Sequence, residues 1–278
     1  MATRSENLPV LPQVASKLLT MIDDPVTSTK TLEAIIERDP AIVAKVLKVA
    51  GSAFYGGMPA GTTSRAIAVL GMNTVKSLVV GLVFQQVVGN KGQSSRFNKI
   101  EFWRHSLAVA SASKVLAMIL KNQNAEALYF AGMMHDIGIL VLDRFDREEF
   151  DTALKIAKEE NMSLINAEGK VYPYSHAQVG EILSKKWGLN LIQSSAVRYH
   201  HNPKDESCGL SQSTAIIHLA DVLAHRSGFK NQAPTAPPPE ADPEVLEFLE
   251  IPEAQLEPIE AAVCKEVSRM TEIFGVAA

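Results

Sequence analysis

The sequence predicts an all-α protein, and three observations favour that class: the spacing of its apolar residues, its helix-start signals and its lack of hairpin signals. Along most of the chain, apolar residues recur three or four positions apart, as on one face of a helix; Val14, Leu18 and Ile22 are an example near the amino terminus. No Asn-Gly or Asp-Gly turn occurs, and no sustained alternation of apolar and polar residues indicates a strand.

The dipeptide Asp39-Pro40 illustrates the helix-start signal. The Asp39 side chain can accept hydrogen bonds from the free N–H groups of a first helical turn, and Pro40 fits the first helical position, where no donor is needed. Gly51 is expected to end this helix in the left-handed conformation that glycine adopts without strain. The sequence therefore predicts a helix from Pro40 to Ala50.

The same signals and apolar spacing place further helices along the chain. The predicted segments are Ser64–Leu70, Asn73–Val88, Ile100–Lys121, Asn124–Met134, Asp146–Asn161, Ser175–Trp187, Leu191–His200 and Ser211–Arg226. Five prolines between residues 233 and 243 exclude a helix there and predict an extended connection. Two amphipathic helices, Val245–Leu249 and Ile259–Phe274, follow it and could pack on the body or face a partner.

The composition excludes several classes of protein. A hydrophobic fraction of 46% and a charged fraction of 21% are those of a globular chain, and a net charge of -4 gives no footprint for nucleic acid or an anionic membrane. Cys208 and Cys264 share no CxxC spacing, which indicates a reducing compartment. The first ten residues lack signal-peptide order, and the apolar stretch Ser77–Gly89 is too short to span a bilayer. We expect a cytoplasmic protein that binds neither nucleic acid nor membranes.

The candidate chemistry centres on the pair His135-Asp136. A lone pair of this kind is usually a helix cap or a hydrogen-bonded couple, but other residues here share its chemistry. Upstream, Glu101 and His105 are four residues apart and therefore lie on the same face of a predicted helix. Downstream, Asp221 lies in an apolar helix, where an unpaired carboxylate would be costly to bury. A cation is one natural compensation.

Taken in order, His105, His135-Asp136 and Asp221 on successive helices resemble the metal quartet of the HD superfamily of phosphohydrolases. The run IVAKVLKVAGSAFYG after Asp39, followed by AIAVLG and a helix, resembles the HDOD domain of bacterial signalling proteins, and the two resemblances cover about residues 7 to 228. They imply a multi-helical HDOD fold with an HD-type helical core. Its implied parts are an amino-terminal half at 1–98, an HD-like metal-binding half at 99–228, a Pro-rich linker at 229–243 and carboxyl-terminal helices at 244–278.

Further residues are similar to the additional ligands of HD-GYP cyclic dinucleotide phosphodiesterases, which hold two or three metal ions. The ligands that the resemblance implies are Glu101, His105, His135, Asp136, His176, His200, His201 and Asp221. Imidazoles and carboxylates without thiolates suit a divalent transition metal, with iron or manganese favoured over zinc, and Asp136 could bridge two ions. The alternative is a metal-free network of hydrogen-bonded histidines and acids. His218 and His225 share the helical face of Asp221 and could contact the site, or be ordinary core or surface histidines.

Two departures from the HD-GYP pattern bear on activity. Ile139 follows Gly138 where those enzymes carry a lysine that helps to hold phosphate, and the residues after His201 contain no Gly-Tyr-Pro triplet. Lys204, in the loop after His201, could contact an anion or be a solvated lysine. The sequence therefore predicts weak or no hydrolysis of cyclic dinucleotides.

Three functions remain open from the sequence. The first is a regulatory protein that relays a signal through a partner protein, since the chain carries no receiver, kinase or cyclase signature. The second is a metal-dependent phosphohydrolase or phosphodiesterase acting on a phosphorylated small molecule. The third is a di-iron oxygenase of the HD superfamily, which would need substrate residues that the sequence does not identify.

Overall fold

The computed structural model describes Lys17 and residues 28–52, 55–89, 97–122, 124–205, 210–230 and 239–274. No described residue is in a β-strand, and the secondary structure is helical, which confirms the all-α class. The predicted helix around Leu18 and residues 231–238 of the Pro-rich connection lie outside the described residues.

Backbone contacts group the described residues into two compact units, one up to Val87 and one from Val88 onward. The helices of the amino-terminal part are α1 (Thr29–Ile36), α2 (Pro40–Ala50), α3 (Thr63–Leu70) and α4 (Met72–Gly89). Those that follow are α5 (Lys99–Ile119), α6 (Ala125–Met134), α7 (Ile137–Phe145), α8 (Arg147–Glu159), α9 (Leu164–Val171), α10 (His176–Lys186), α11 (Leu191–Tyr199), α12 (Gln212–Arg226), α13 (Pro243–Phe248) and α14 (Leu256–Phe274).

In the first unit, α1, α2 and α3 pack against one another. The predicted start of α2 is present, because the Asp39 carboxylate accepts hydrogen bonds from the N–H groups of Ala41 at 2.9 Å and Ile42 at 3.3 Å. The predicted left-handed stop at Gly51 is wrong, since its φ is -87°. The chain continues beyond the helix end and reverses later, at Gly56 and Gly57, whose φ values are 97° and 70°.

The second unit is built around α5, against which α6, α12 and α14 pack. Because α5 is covered by several neighbours, it is buried on most of its circumference rather than on one stripe. The carboxyl-terminal helices pack back on this body, with Val245, Val263 and Val267 in the same core cluster as the apolar residues of α5 and α12. Pro243, which the sequence analysis placed in the linker, begins α13 instead, because Asp242 caps it as Asp39 caps α2.

Two glycines allow α7 and α10 to approach closely. A Cβ atom on Gly138 would overlap the carbonyl oxygen of His176 and come within 2.8 Å of the Gly180 nitrogen. Glycine is therefore required at this crossing, because any side chain would separate the two helices. The crossing places the first residue of α10, His176, beside the junction of α6 and α7.

Three α-helices within the described part of the chain were not predicted from the sequence: α1, α7 and α9. The N-cap residues of α7 and α9 are Asp136 and Ser163, but neither side chain makes a capping hydrogen bond, and α9 is short and contains Gly169. Among the described residues, Ala125–Phe145, comprising α6 and α7, is long and apolar enough to cross a membrane, but 83% of its most apolar stretch is buried within the protein. The helices α3 and α4 are long and apolar enough only when they are taken together, and they meet at a bend of 112°.

Candidate metal centre

Seven of the eight predicted ligands meet at helix ends and helix faces in the second unit. They are His105 within α5, His135 and Asp136 at the α6–α7 junction, His176 at the start of α10, His200 and His201 after α11, and Asp221 within α12. Local capping sets two of these positions, because Ser175 and Asn190 form capping boxes that start α10 and α11. The side chains therefore reach one place from separate helices.

Asp136 occupies the centre of this arrangement. Although it lies at the N-cap position of α7, its side chain makes no capping hydrogen bond, so it is not an ordinary helix cap. Its carboxylate is fully buried, with Oδ2 3.3 Å from Nε2 of His135 and Oδ1 3.2 Å from Nε2 of His176. The two oxygens of one carboxylate thus face two different groups of imidazoles.

The first group comprises His105, His135 and Asp221 beside Asp136. The Nε2 atoms of His105 and His135 are 3.2 Å apart, and Oδ1 of Asp221 lies 3.2 Å from Nε2 of His105. The Nε2 atom of His105 also lies 3.7 Å from Oδ2 of Asp136. Two imidazoles and two carboxylates therefore converge here.

The second group comprises His176, His200 and His201 on the other side of Asp136. The Nε2 atoms of His176 and His201 are 3.0 Å apart, and Nε2 of His200 lies 3.5 Å from Oδ1 of Asp136. His176 and His200 are buried, whereas the His201 residue is half-buried. This group combines three imidazoles with one carboxylate.

Hydrogen bonds on the far side of the rings fix which nitrogen points into the site. The Nδ1–H groups of His105, His135 and His200 donate to the backbone carbonyls of Phe229, Gly132 and Val197, at 2.9, 2.8 and 2.9 Å. A carbonyl oxygen can only accept, so each of these rings, in its neutral form, presents the lone pair of Nε2 to the centre. A neutral imidazole held in this way is the form that binds a metal ion.

The donor set fits divalent metal ions. The Nε2 atoms of His105 and His135 are 3.2 Å apart, and those of His176 and His201 are 3.0 Å apart, so a proton or a metal ion has to lie between the two nitrogens of each pair. Nitrogen ligands at about 2.0–2.1 Å from one ion lie roughly 2.8–3.4 Å from each other at angles between 90° and the tetrahedral value. The observed separations match that range.

The electrostatics keep both aspartates ionised. Burial by itself raises the pKa of Asp136, but His135 and other imidazoles lower it well below the ordinary aspartate range. Burial likewise raises the pKa of Asp221, and His225 and His105 lower it well below that range. Both carboxylates are therefore anionic at neutral pH, as metal coordination requires.

The imidazoles fall into two classes. Burial lowers the pKa of His201, and the neighbouring rings of His200 and His176 lower it further, so His201 is neutral. Burial also lowers the pKa of His176, but the carboxylates of Glu168 and Asp136 raise it to about 10. Protons and metal ions compete for the same nitrogen lone pairs, so metal uptake is expected to release protons.

Further side chains contact the site. His218 lies behind it, with Nδ1 donating to the backbone carbonyl of His200 at 2.7 Å. His225 contacts a candidate ligand directly, because its Nδ1 lies 3.1 Å from Oδ1 of Asp221. It could therefore bind an ion together with His105 and Asp221. The fully buried Glu168 contacts His176 and was missed by the sequence analysis. Its signal was an acidic residue on the face of α9 that carries Leu164.

Glu101 is the predicted ligand that the structure does not bring to this place. It is exposed in the first turn of α5, whereas His105, one turn later, is buried. None of the metal-compatible groups among the described residues contains it. The same-face spacing therefore does not suffice, because Glu101 lies on an exposed side of the first turn while its neighbours Phe102 and Trp103 are buried.

The chain matches the HDOD domain over residues 8–203, a range that ends before Asp221. It is 24% identical over 203 residues to an uncharacterised protein of Treponema pallidum, covering 72% of this chain and 39% of that protein. The chain thus aligns with about two fifths of the length of that curated relative.

Solved structures show the same fold. A protein from Marinobacter aquaeolei, described as a proposed signal transduction protein, is 20% identical with a TM-score of 0.78, covering 97% of this chain and 60% of its own. A proposed phosphohydrolase from Shewanella amazonensis is 21% identical with a TM-score of 0.75, covering 99% and 97%. An HDOD domain protein from Geobacter sulfurreducens with unknown function is 20% identical with a TM-score of 0.74, covering 95% and 97%. At these identities the likeness shows the fold alone.

Proposed function

This chain belongs to the HDOD family, and we propose that it is a cytoplasmic bacterial signalling protein that holds a pair of divalent transition-metal ions and acts through a partner protein. One ion would be held by His105, His135, Asp136 and Asp221, and the other by Asp136, His176, His200 and His201. Iron or manganese is the metal we favour, with zinc as the alternative, because the donors are imidazoles and carboxylates.

The placement of Asp136 carries this proposal. A single carboxylate with one oxygen toward each imidazole group is the arrangement by which an aspartate bridges two metal ions. A metal-free network would leave Nε2 lone pairs facing each other at 3.0 and 3.2 Å without a cation between them, unless protons take its place. The paired metal ions account for both contacts together.

In the regulatory function, the metal pair would tie together helices that reach the site from distant parts of the sequence. The His201 residue is half-buried and the Asp221 side chain is 9% exposed, and we propose that a small molecule reaches the site at this edge. Phosphate oxygens are good ligands for divalent ions, so a phosphorylated small molecule is the ligand class we propose. Binding there would be transmitted to the partner through these helices.

Two residues that could have held a phosphate group do not offer a free charge, which favours regulation over hydrolysis. Ile139, at the position where HD-GYP enzymes carry lysine, is fully buried and supplies no charge. Lys204, the other candidate for holding phosphate, is ion-paired with Asp242 at 2.9 Å and Glu244 at 3.3 Å. Phosphoryl transfer depends mainly on positioning and charge stabilisation, so the lack of these contacts weakens the enzyme hypothesis.

Phosphoester hydrolysis is the second candidate function, favoured by the same donor set and the partly exposed edge at His201. When bound, a metal pair supplies positive charge that acidifies water and stabilises charge developing on a phosphoryl group. The chain's own contribution would be to orient the ligands, through the hydrogen bonds from Nδ1 of His105, His135 and His200.

Metal analysis of protein purified without chelator or a metal-affinity tag tests the metal pair. We expect about two equivalents of transition metal per chain, since two groups of ligands are present. Less than about one equivalent would contradict the proposal.

The regulatory function predicts weak or no turnover of cyclic dinucleotides by protein loaded with iron or manganese. Loss of a lysine contact to phosphate is expected to cost on the order of 10² to 10³ in rate even with both ions in place. Product formation is measured by chromatography, with His135→Ala as the metal-deficient control. Robust hydrolysis that His135→Ala abolishes would make the enzyme hypothesis the better one.

A further inference from the structure

Glu168 is a buried carboxylate that contacts the site from outside. It lies in α9 and is fully buried, although it carries a negative charge when ionised. Its Oε2 accepts a hydrogen bond from the backbone N–H of His176 at 2.8 Å, and both of its oxygens lie within 2.9 Å of His176 Nδ1. A buried carboxylate is costly unless its partners compensate for lost hydration, so this contact calls for a role.

His176 differs from the other imidazoles in its outer partner. His105, His135 and His200 each donate their Nδ1–H to a neutral backbone carbonyl. The ring of His176 instead lies between two carboxylates, with Nδ1 on Glu168 and Nε2 3.2 Å from Oδ1 of Asp136. A carboxylate on Nδ1 fixes the ring and increases the electron density on Nε2 more than a carbonyl does.

The charges of the two groups explain why this matters. In the first group both Asp136 and Asp221 contact the rings of His105 and His135, whereas the second group has only the shared Asp136 with three imidazoles. Glu168 supplies the second group with a further negative charge. Its carboxylate contacts Nδ1 of His176, on the side of the ring that faces away from the group. Each divalent ion would then be balanced by two nearby carboxylates.

We propose that Glu168 is a positioning residue that acts through His176 to hold the metal ion bound by Asp136, His176, His200 and His201. This inference rests on the proposed metal pair. Glu168 does not itself touch the ion; it orients the His176 ring and offsets positive charge at the second position. The first position, formed by His105, His135 and Asp221 with Asp136, does not depend on it.

The substitution Glu168→Gln tests this role, because glutamine keeps the shape and an oxygen for the backbone N–H of His176 while removing the charge. We expect one of two ions to bind about 10- to 100-fold more weakly, as loss of an outer carboxylate typically causes, and the other to bind unchanged. Titration of metal-free protein with manganese gives the two affinities. Electron paramagnetic resonance is an independent readout, because loss of one ion converts a coupled-pair signal into that of a single ion.

Glu181→Gln is the matched control, since Glu181 lies on α10 with His176 but pairs with Lys185 and Arg198 instead. This variant is expected to bind both ions as the unsubstituted protein does. The melting temperatures of the metal-free Glu168→Gln and unsubstituted proteins distinguish the proposed role from a merely structural one. A structural role would lower the melting temperature without a selective loss of one ion. Two unchanged affinities in Glu168→Gln would overturn the role of Glu168 alone. Failure of the unsubstituted protein to bind metal would overturn the metal pair as well.

Discussion

At the scale of single residues, Asp136 and Asp221 are both buried acids beside histidines, but they occupy different places. Asp136 presents one oxygen to each imidazole group, whereas Oδ1 of Asp221 lies 3.2 Å from His105, within the first group. Their removal should therefore have different consequences for metal content. The difference distinguishes a bridging carboxylate from a carboxylate that serves one ion.

We predict that Asp136→Asn removes both ions and that Asp221→Asn removes only the ion of the first group. The amide keeps the volume of each side chain but loses the negative charge that metal coordination uses. Metal content of each purified variant is measured by elemental analysis. Equal losses in the two variants, or full occupancy in Asp136→Asn, would exclude the bridging role.

At the scale of helices, the crossing of α7 and α10 determines whether the two halves of the site meet. Asp136 precedes α7 and His176 begins α10, so the separation of these helices sets the distance between the carboxylate and the ring. Gly138 and Gly180 line that crossing. A change of one methyl group there should therefore alter both stability and metal binding.

We predict that Gly138→Ala lowers the free energy of unfolding by about 1–3 kcal/mol or more and weakens the ion bound by His176, because the added methyl overlaps backbone atoms of α10. The control is Gly169→Ala in α9, where nothing lies within 4 Å of the added Cβ. That change should be neutral or stabilise by roughly 0.5–1 kcal/mol, since alanine favours a helix. Chemical unfolding and manganese titration provide the measurements; an unaffected Gly138→Ala protein would refute the tight crossing.

At the scale of the whole molecule, all the candidate ligands lie in the unit that begins at Val88. They come from α5, the α6–α7 junction, α10, the end of α11 and α12, which are far apart in sequence. A metal pair would therefore cross-link this unit and leave α1, α2 and α3 without a direct bond to metal. Metal removal should therefore lower the stability of this unit and leave that of the amino-terminal unit unchanged.

We predict that a chelator lowers the melting temperature reversibly. An ion present at 100 times its dissociation constant stabilises the folded state by about 2.7 kcal/mol. For a chain of this size that corresponds to a shift of roughly 5–10 °C per ion.

Hydrogen exchange locates this effect. Amide protection should fall in α5, α7 and α10 to α12 on chelation and remain unchanged in α1 to α3, which serve as the internal control. Equal loss of protection throughout, or no change in melting temperature, would contradict a metal pair confined to the second unit.

The sequence by itself determined the fold class and most of the helices, because apolar spacing and capping residues act over a few positions. Asp39-Pro40 predicts the start of α2 from neighbouring residues alone, whereas the set of candidate histidines and aspartates came from the resemblance to HD-type enzymes. It did not predict α7 or α9, whose N-cap residues Asp136 and Ser163 make no side-chain capping hydrogen bond, nor the conformation of Gly51, which ends α2 with a φ of -87°.

Only the tertiary structure decided which acidic residues reach the site. Glu101 satisfies the helical spacing to His105 but lies exposed, whereas Glu168, on a helix that was not predicted, is buried against His176. Spacing fixes the direction of a side chain on its own helix. Its distance from residues far along the chain depends on how helices pack, as at the Gly138 crossing, and this information is not local in sequence.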